Sequence, residues 1–106
     1  MLKLKVHEVR QNAGGGSSVV IYDADVDLHT SGPVTVRVQS VHPEDADPVS
    51  IEDARQAILS GAEHVLNALG KGASIQVRGL VVHAVDFKPS RFKLLTALEL
   101  GRALGQ

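Results

Sequence analysis

Residues 19–28, VVIYDADVDL, decide the fold class because apolar and acidic side chains alternate along the run. One side of an extended chain would carry aliphatic residues, namely Ala24, Val26 and Leu28. The other side would carry carboxylates, those of Asp23, Asp25 and Asp27. A period of two is the pattern of a β-strand that buries one face and exposes the other. The run therefore predicts a strand in a half-buried sheet.

Two neighbouring runs alternate in the same way, LKLKVHEV at residues 2–9 and VTVRVQSV at residues 34–41. Turn-forming sequences, QNAGGGSS and HTSGP, connect the three runs. Short connections between alternating runs predict an antiparallel meander. We expect the acidic strand to lie between the strands that carry Lys3, Lys5 and Arg37, since opposite charges on neighbouring strands attract.

The next periodic segment, residues 50–69, predicts a helix. Its apolar residues recur at spacings of three and four, which marks one buried stripe: Ile51, Ala54, Ile58, Ala62, Val65 and Leu69. We expect the helix to begin at Ser50, with Asp53 completing a capping-box-like start. Gly70 and Gly72 are typical of a helix end.

The remaining sequence predicts a fourth strand at residues 74–86 and a second helix. Gly79 in the middle of that strand indicates a bulge or the close approach of another backbone, and Pro89 suits the first turn of the helix. The predicted order is β-β-β-α-β-α within a single domain, residues 1–106. It favours an α+β, two-layer sandwich in which two helices cover one face of a four-stranded mixed sheet.

Composition excludes several classes of protein. The 106 residues include no cysteine, which excludes disulfides, thiolate zinc sites and a cysteine nucleophile. No apolar run approaches the ~18 residues that span a bilayer. The alternating N-terminal residues lack the continuous apolar region of a signal peptide. We therefore expect a cytoplasmic protein without membrane contact.

Charge is unevenly distributed although the net charge is only −1. Residues 1–70 hold five Lys/Arg and ten Asp/Glu, a net charge of −5, whereas residues 71–106 hold six and two, a net charge of +4. Such asymmetry can mark a binding face or can be averaged out by folding. The near-neutral total argues against a dedicated high-affinity nucleic-acid binder.

Common ligand-binding motifs are not matched. The triple glycine at residues 14–16 joins two strands, whereas a phosphate cradle needs a helix after the glycines. The Gly70-Lys71 pair follows a helix and fits a helix end. The best local cluster for a metal is His42, Glu44, Asp45 and Asp47, whose spacing differs from that of a hard-cation loop. We predict no metal, no cofactor and no bound nucleotide.

Catalytic motifs are also not matched, so we expect a protein that is not an enzyme. The row of Asp23, Asp25 and Asp27 could supply acid–base groups, but an exposed row beside Lys and Arg is typical of a solvated face. The serine-nucleophile motif GxSxG is not present. An alternative that stays open is a small enzyme that uses His83 and Asp86.

Three segments resemble domain IV of the translational GTPase elongation factor G, which shares its fold group with the second domain of ribosomal protein S-five. The similarity extends weakly over nearly the whole chain. VRQNAGGGSSVVI resembles the family's Val-Arg-Gln, glycine-rich and Val-Val segment, and IEDARQAILSGAEHVLNALG resembles its first helix. GLVVHAVD resembles the family's loop that ends in His-x-Val-Asp.

In that family two tip loops contact RNA at the decoding site of the small ribosomal subunit. The residue-level match implies that one loop includes Arg10, Gln11, Gly14 and Gly15, and that the other includes His83 and Asp86. The chain departs from the family where Gly16, Ser17 and Ser18 replace an arginine- and tyrosine-bearing stretch. Two extra residues also separate Asp86 from Ser90. The chain contains no GTPase domain, so the resemblance implies no nucleotide hydrolysis.

The resulting hypothesis is a non-enzymatic, stand-alone module that contacts the ribosome or structured RNA. Contact would use the 10–18 and 79–86 loops together with nearby cations: Arg78, Lys88, Arg91 and Lys93. Base stacking is a poor mechanism because the chain has only Tyr22, Phe87 and Phe92 as aromatic residues. The alternative is a protein-interaction or self-assembly module, a homo-oligomer included, that uses an edge strand or residues 80–82.

Overall fold

A computed structural model describes residues 1–11, 17–83 and 86–105. Within them the chain forms six strands and two helices, a mixed α+β content as predicted. The elements are β1 (Leu2–Arg10), β2 (Ser18–His29), β3 (Val34–Val38), β4 (Val41–His42), α1 (Pro48–Ala68), β5 (Gly72–Arg78), β6 (Leu80–Val81) and α2 (Pro89–Ala103). The short strands β4 and β6 are additions to the predicted order. None of the helices in this described part is long and apolar enough to cross a membrane.

The main sheet has four strands in the order β1-β2-β5-β3. Strand β2 pairs antiparallel with β1 and with β5, whereas β3 pairs parallel with β5. The sheet is therefore mixed, as predicted. Helix α1 connects β3 to the parallel strand β5, which agrees with the rule that parallel strands need a long crossover connection.

The predicted three-strand meander is wrong at its second turn. Strand β3 does not pair with β2, because β5 lies between them. The turn at residues 30–33 passes the end of β5, where the Ala73 amide donates to the Pro33 carbonyl at 3.3 Å. Alternate residues of β5 are buried, so it fits the middle of the sheet as well as β3 does. The acidic strand consequently has Arg78 of β5 beside it, in place of Arg37.

Both helices cover one face of the sheet, and the core lies between the two layers. Along each long strand alternate residues are buried, which confirms the predicted period of two. The helices contribute an apolar stripe from α1 and the buried side of α2. The fully buried residues from the helices are Ala54, Ile58, Ala62, Leu66, Phe92 and Leu100.

Helix α1 begins earlier than predicted. Asp47 is its N-cap residue, and the Asp47 side chain accepts a hydrogen bond from the Val49 amide at 3.1 Å. Pro48 occupies the first helical position, where a missing amide hydrogen costs nothing. Ser50 is therefore inside the helix, and the expected capping box between Ser50 and Asp53 is not the start.

The predicted fourth strand is divided at Gly79. Gly79 has φ of +62°, a backbone conformation that glycine adopts readily and other residues rarely. Beyond it, β6 leaves the main sheet and pairs parallel with β4. Leu80 is fully buried and Val82 is 7% exposed. Leu80 and Val82 therefore belong to the core and Val81 is partly buried, so this stretch offers little aliphatic surface for the interface predicted there.

Tyr22 joins the two layers through its hydroxyl group. The ring is 1% exposed, and its oxygen lies 2.5 Å from the Thr96 hydroxyl of α2. Burial raises the pKa of Tyr22 to about 12, because removal from water disfavours the phenolate. The Thr96 hydrogen bond acts in the opposite direction and is the smaller effect.

We expect Tyr22 to make the fold lose stability at alkaline pH. The folded state keeps the phenolic proton to about pH 12, whereas an unfolded tyrosine loses it near pH 10. Between these values the unfolded state binds fewer protons, so the free energy of unfolding falls by about 1.4 kcal/mol for each pH step. Urea unfolding of wild type and Tyr22→Phe at several pH values measures the difference. Parallel pH profiles of the two proteins would contradict the prediction.

Candidate functional site

Strands β1 and β2 form a hairpin that extends past the rest of the main sheet. Strand β1 pairs with residues 18–26 of β2, whereas β5 pairs only with residues 23–29. The first part of β2 and the last part of β1 therefore form a two-stranded extension. Of the predicted loop, Gly14 and Gly15 lie outside the described residues. Gln11, which was assigned to the same loop, is exposed.

The second predicted loop lies beside the end of this hairpin at which β1 finishes and β2 begins. The Val19 amide donates to the Asp86 carbonyl at 3.1 Å, and the Ser17 hydroxyl donates to Asp86 Oδ1 at 2.5 Å. One backbone and one side-chain hydrogen bond thus hold Asp86 against the start of β2. The structure brings together the two segments that the resemblance singled out.

His83 is oriented by the same aspartate. The Asp86 amide donates to His83 Nδ1 at 3.1 Å, and that nitrogen lies 3.7 Å from Asp86 Oδ2. A ring nitrogen that accepts an amide hydrogen carries no proton, so neutral His83 has its proton on Nε2. The side chain is 46% exposed. The ring is therefore positioned by its own loop and presents a large part of its surface to solvent.

The geometry of Ser17, Asp86 and His83 does not match a catalytic triad. In a triad the imidazole stands between the hydroxyl and the carboxylate, so that it removes the hydroxyl proton. Here the Asp86 carboxylate stands between Ser17 and His83. The group that contacts the Ser17 hydroxyl is thus the carboxylate and not the imidazole. The arrangement positions a loop and does not assemble a nucleophile.

A charged cluster lies on the helix-covered side of the same hairpin. Glu8 accepts a hydrogen bond from Arg91 at 2.6 Å, and Arg10 Nε lies 3.5 Å from the same carboxylate oxygen. The Glu8 and Arg91 side chains are 22% and 23% exposed, whereas Arg10 is 51% exposed. Arg91 Nε is buried and has no hydrogen-bond partner in the described part of the chain. Two cations around one carboxylate leave a local excess of positive charge.

Of the remaining predicted cations, Arg78 and Lys93 lie elsewhere, whereas Lys88 is next to this end, since its carbonyl accepts the Arg91 amide at 3.0 Å. Arg78 is on the open face of the sheet, where it contacts Asp25 at 3.1 Å. Lys93 lines a groove between the two helices. Lys88 is the N-cap residue of α2 and is partly buried. The predicted contact residues therefore do not form one surface, although Arg10, His83, Asp86 and Arg91 gather at one end.

Two members of this end were missed from the sequence, Glu8 and Ser17. Glu8 continues the side of β1 that buries Leu4 and Val6. A charged residue on an otherwise apolar side was a signal for a partnered ion. Ser17 gave no signal, because its contact with Asp86 spans 69 positions of the chain.

The other candidate groups give no further site. Asp23, Asp25 and Asp27 follow the open face of β2, where Lys3 and Lys5 oppose Asp25 and Asp23 in the pairing with β1. In residues 1–11, 17–83 and 86–105, no three His, Cys, Asp or Glu side chains are grouped to hold a metal ion. Asp47, from the predicted metal cluster, caps α1.

The sequence matches no protein-family model, and it has no significant match among curated proteins.

Proposed function

We propose that this chain is a non-enzymatic, cytoplasmic module that contacts structured RNA, such as ribosomal RNA, with the end of the β1–β2 hairpin. The contact end comprises Arg10, Ser17, His83, Asp86 and Arg91. The observation that carries the proposal is the attachment of Asp86 to Ser17 and Val19. That attachment unites the two segments in which the resemblance to elongation factor G domain IV is concentrated.

The charges at this end suit phosphate groups. Arg10 is half exposed, and its carboxylate neighbour Glu8 is shared with Arg91. An RNA phosphate could therefore accept hydrogen bonds from Arg10 while Arg91 keeps its ion pair with Glu8. Contacts of this type fix position on RNA and carry little sequence information.

Aromatic stacking does not contribute to the proposed contact. Tyr22 and Phe92 are buried, and Phe87 packs against Phe92 with ring centroids 5.4 Å apart. RNA contact would therefore rely on phosphates, on 2′-hydroxyl groups and on the exposed His83 ring. A module of this kind binds by shape and charge, with modest affinity.

We expect salt-sensitive co-sedimentation with ribosomal subunits. With two or three phosphate contacts, raising salt from about 50 to about 200 mM should weaken binding roughly ten- to fortyfold. Arg10→Glu should weaken binding at low salt and reduce the salt slope by about one. His83→Ala should also weaken binding, because it removes the ring's contacts with RNA.

A matched control is available at the opposite end of the sheet. Lys71 is exposed and precedes Gly72, which pairs with His29 at the far end of β2. Lys71→Glu makes the same charge change as Arg10→Glu and should leave binding nearly unchanged. Equal losses of binding in these two variants would show that binding depends on the net charge of the protein and not on the hairpin end. No co-sedimentation at low salt would reject the proposal.

Self-assembly through the edge of the sheet is the alternative partner hypothesis. Strand β1 is an edge strand of nine residues in the main sheet. It carries Lys3 and Lys5, and lysine on an edge strand opposes pairing between two copies. We therefore favour RNA contact. Sedimentation velocity at several protein concentrations tests the alternative, which requires a concentration-dependent dimer.

A further inference from the structure

A groove runs between α1 and α2. Its volume is about 760 Å³, and its lining residues extend along α2 from Ser90 to Arg102. At 1.5 Å of rise per residue this stretch is about 18 Å long. Small residues make the groove deep, because Gly61 of α1 and Ala97 and Gly101 of α2 project little. The groove therefore has the length and depth to take about three turns of a third helix.

The α2 side of the groove exposes two leucines. Leu94 and Leu98 are 45% and 46% exposed, and they lie one turn apart. Val65 adds a partly buried aliphatic surface from α1. Leucines at this spacing are the usual anchors for a helix that packs across or along them. Val65 also packs against the core, whereas about half of each of the two leucine residues stays accessible.

The charged side chains that line the groove, Lys93 and Arg102, are both basic. His64, Lys93 and Arg102 line the groove, and none of the described lining residues is acidic. Arg102 contacts Glu99 at 3.0 Å, but its side chain is 73% exposed and remains accessible. The polar rim therefore favours a ligand with carboxylates beside an apolar ridge.

From these observations we propose that the groove is the docking site for an acidic amphipathic helix of a partner protein. The partner's leucine-like side chains would cover Leu94, Leu98 and Val65. Its carboxylates would contact Lys93 and Arg102. Lys93 and Arg91 are two residues apart on α2, so they face different directions around the helix. This site therefore goes beyond the RNA contact proposed for the hairpin end.

Charge distinguishes this occupant from two others. A second copy that packed groove against groove would place Lys93 and Arg102 near their own equivalents, and juxtaposed like charges oppose association. RNA would find cations here, but exposed aliphatic residues in place of polar groups would face its bases and sugars. An acidic amphipathic helix can both cover the apolar residues of the groove and form ion pairs with its cations.

The test is fluorescence anisotropy with a labelled synthetic helical peptide of about twelve residues. The peptide carries Leu at i, i+4 and i+7 and Glu at the flanking positions, and a second version has Lys in place of Glu. We expect saturable binding of the Glu peptide and much weaker binding of the Lys peptide. The double variant Leu94→Ser, Leu98→Ser should lose at least about tenfold in affinity.

Two further variants make the result specific. Val49→Ser removes an exposed valine, 65% exposed, from the first turn of α1 and should leave binding unchanged. The charge-reversed double variant Lys93→Glu, Arg102→Glu should prefer the Lys peptide. The proposal is overturned by any of four results: no saturable binding, equal binding of both peptides, a dimer abolished by the leucine variants, or displacement of the peptide by RNA.

Discussion

Replacing Phe92 by alanine should lower the free energy of unfolding by about 3–5 kcal/mol, the usual cost of deleting a buried aromatic ring. Phe92 is fully buried in α2 and lies between two other rings. Its centroid is 6.3 Å from that of Tyr22, with the planes 15° apart, and 5.4 Å from that of Phe87. The three rings form the chain's entire aromatic content, so no other aromatic residue can fill the cavity.

Urea unfolding followed by circular dichroism measures this loss. Leu94→Ala is the matched control on the same helix, because Leu94 is 45% exposed and its truncation leaves no cavity. The control should change stability by less than about 0.5 kcal/mol. A loss below about 1 kcal/mol for Phe92→Ala would show that the core between α2 and the sheet is not closed as described.

The Phe92 cavity should also affect the hairpin end. Phe87 packs on Phe92 and directly follows Asp86, whose carbonyl accepts the Val19 amide. Loss of the ring removes the apolar contact that holds this loop against the helix. We therefore expect the Val19 amide to exchange faster in Phe92→Ala than global destabilisation alone explains. The candidate site is thus positioned by the core beneath it.

Local patterns in the sequence were sufficient for the elements of the main sheet and both helices. Alternation identified β1, β2 and β3, because each buries one face. It did not identify which strands are neighbours, since β3 and β5 carry the same pattern and either could pair with β2. The neighbour of β3 depends on the helix layer, because the long crossover through α1 allows β3 to pair parallel with β5.

The candidate site was only partly predictable for a similar reason. The resemblance singled out His83 and Asp86, and the structure joins that segment to the hairpin. The pairing of Arg91 with Glu8 spans 83 positions, and no local spacing rule relates residues so far apart. Lys93 carries the same charge as Arg91, yet the helical turn directs it into the groove. The prediction of one basic surface therefore included too many residues, because charge alone does not show which way each side chain faces.

Gly61 is a position of close approach between the two helices. A Cβ atom added there would lie 2.4 Å from the Lys93 carbonyl oxygen and 3.1 Å from Thr96 Cβ. The first of these is a backbone atom, so relief requires movement of α2 itself. Gly61 thus permits the close packing of α1 on α2 that places Thr96 against Tyr22.

Gly61→Ala should therefore destabilise the protein by about 1–3 kcal/mol, the range for overpacking a closed interface. The direction of the stability change is informative, because alanine in place of glycine inside an exposed helix normally stabilises a protein by about 1 kcal/mol. Asn67→Ala, at an exposed position of the same helix, supplies that comparison and should be neutral or slightly stabilising. Denaturant unfolding of both variants measures the difference. A more stable Gly61→Ala variant would contradict the prediction and would mean that α2 can move away from α1 without a loss of stability. The groove between the helices could then change its width.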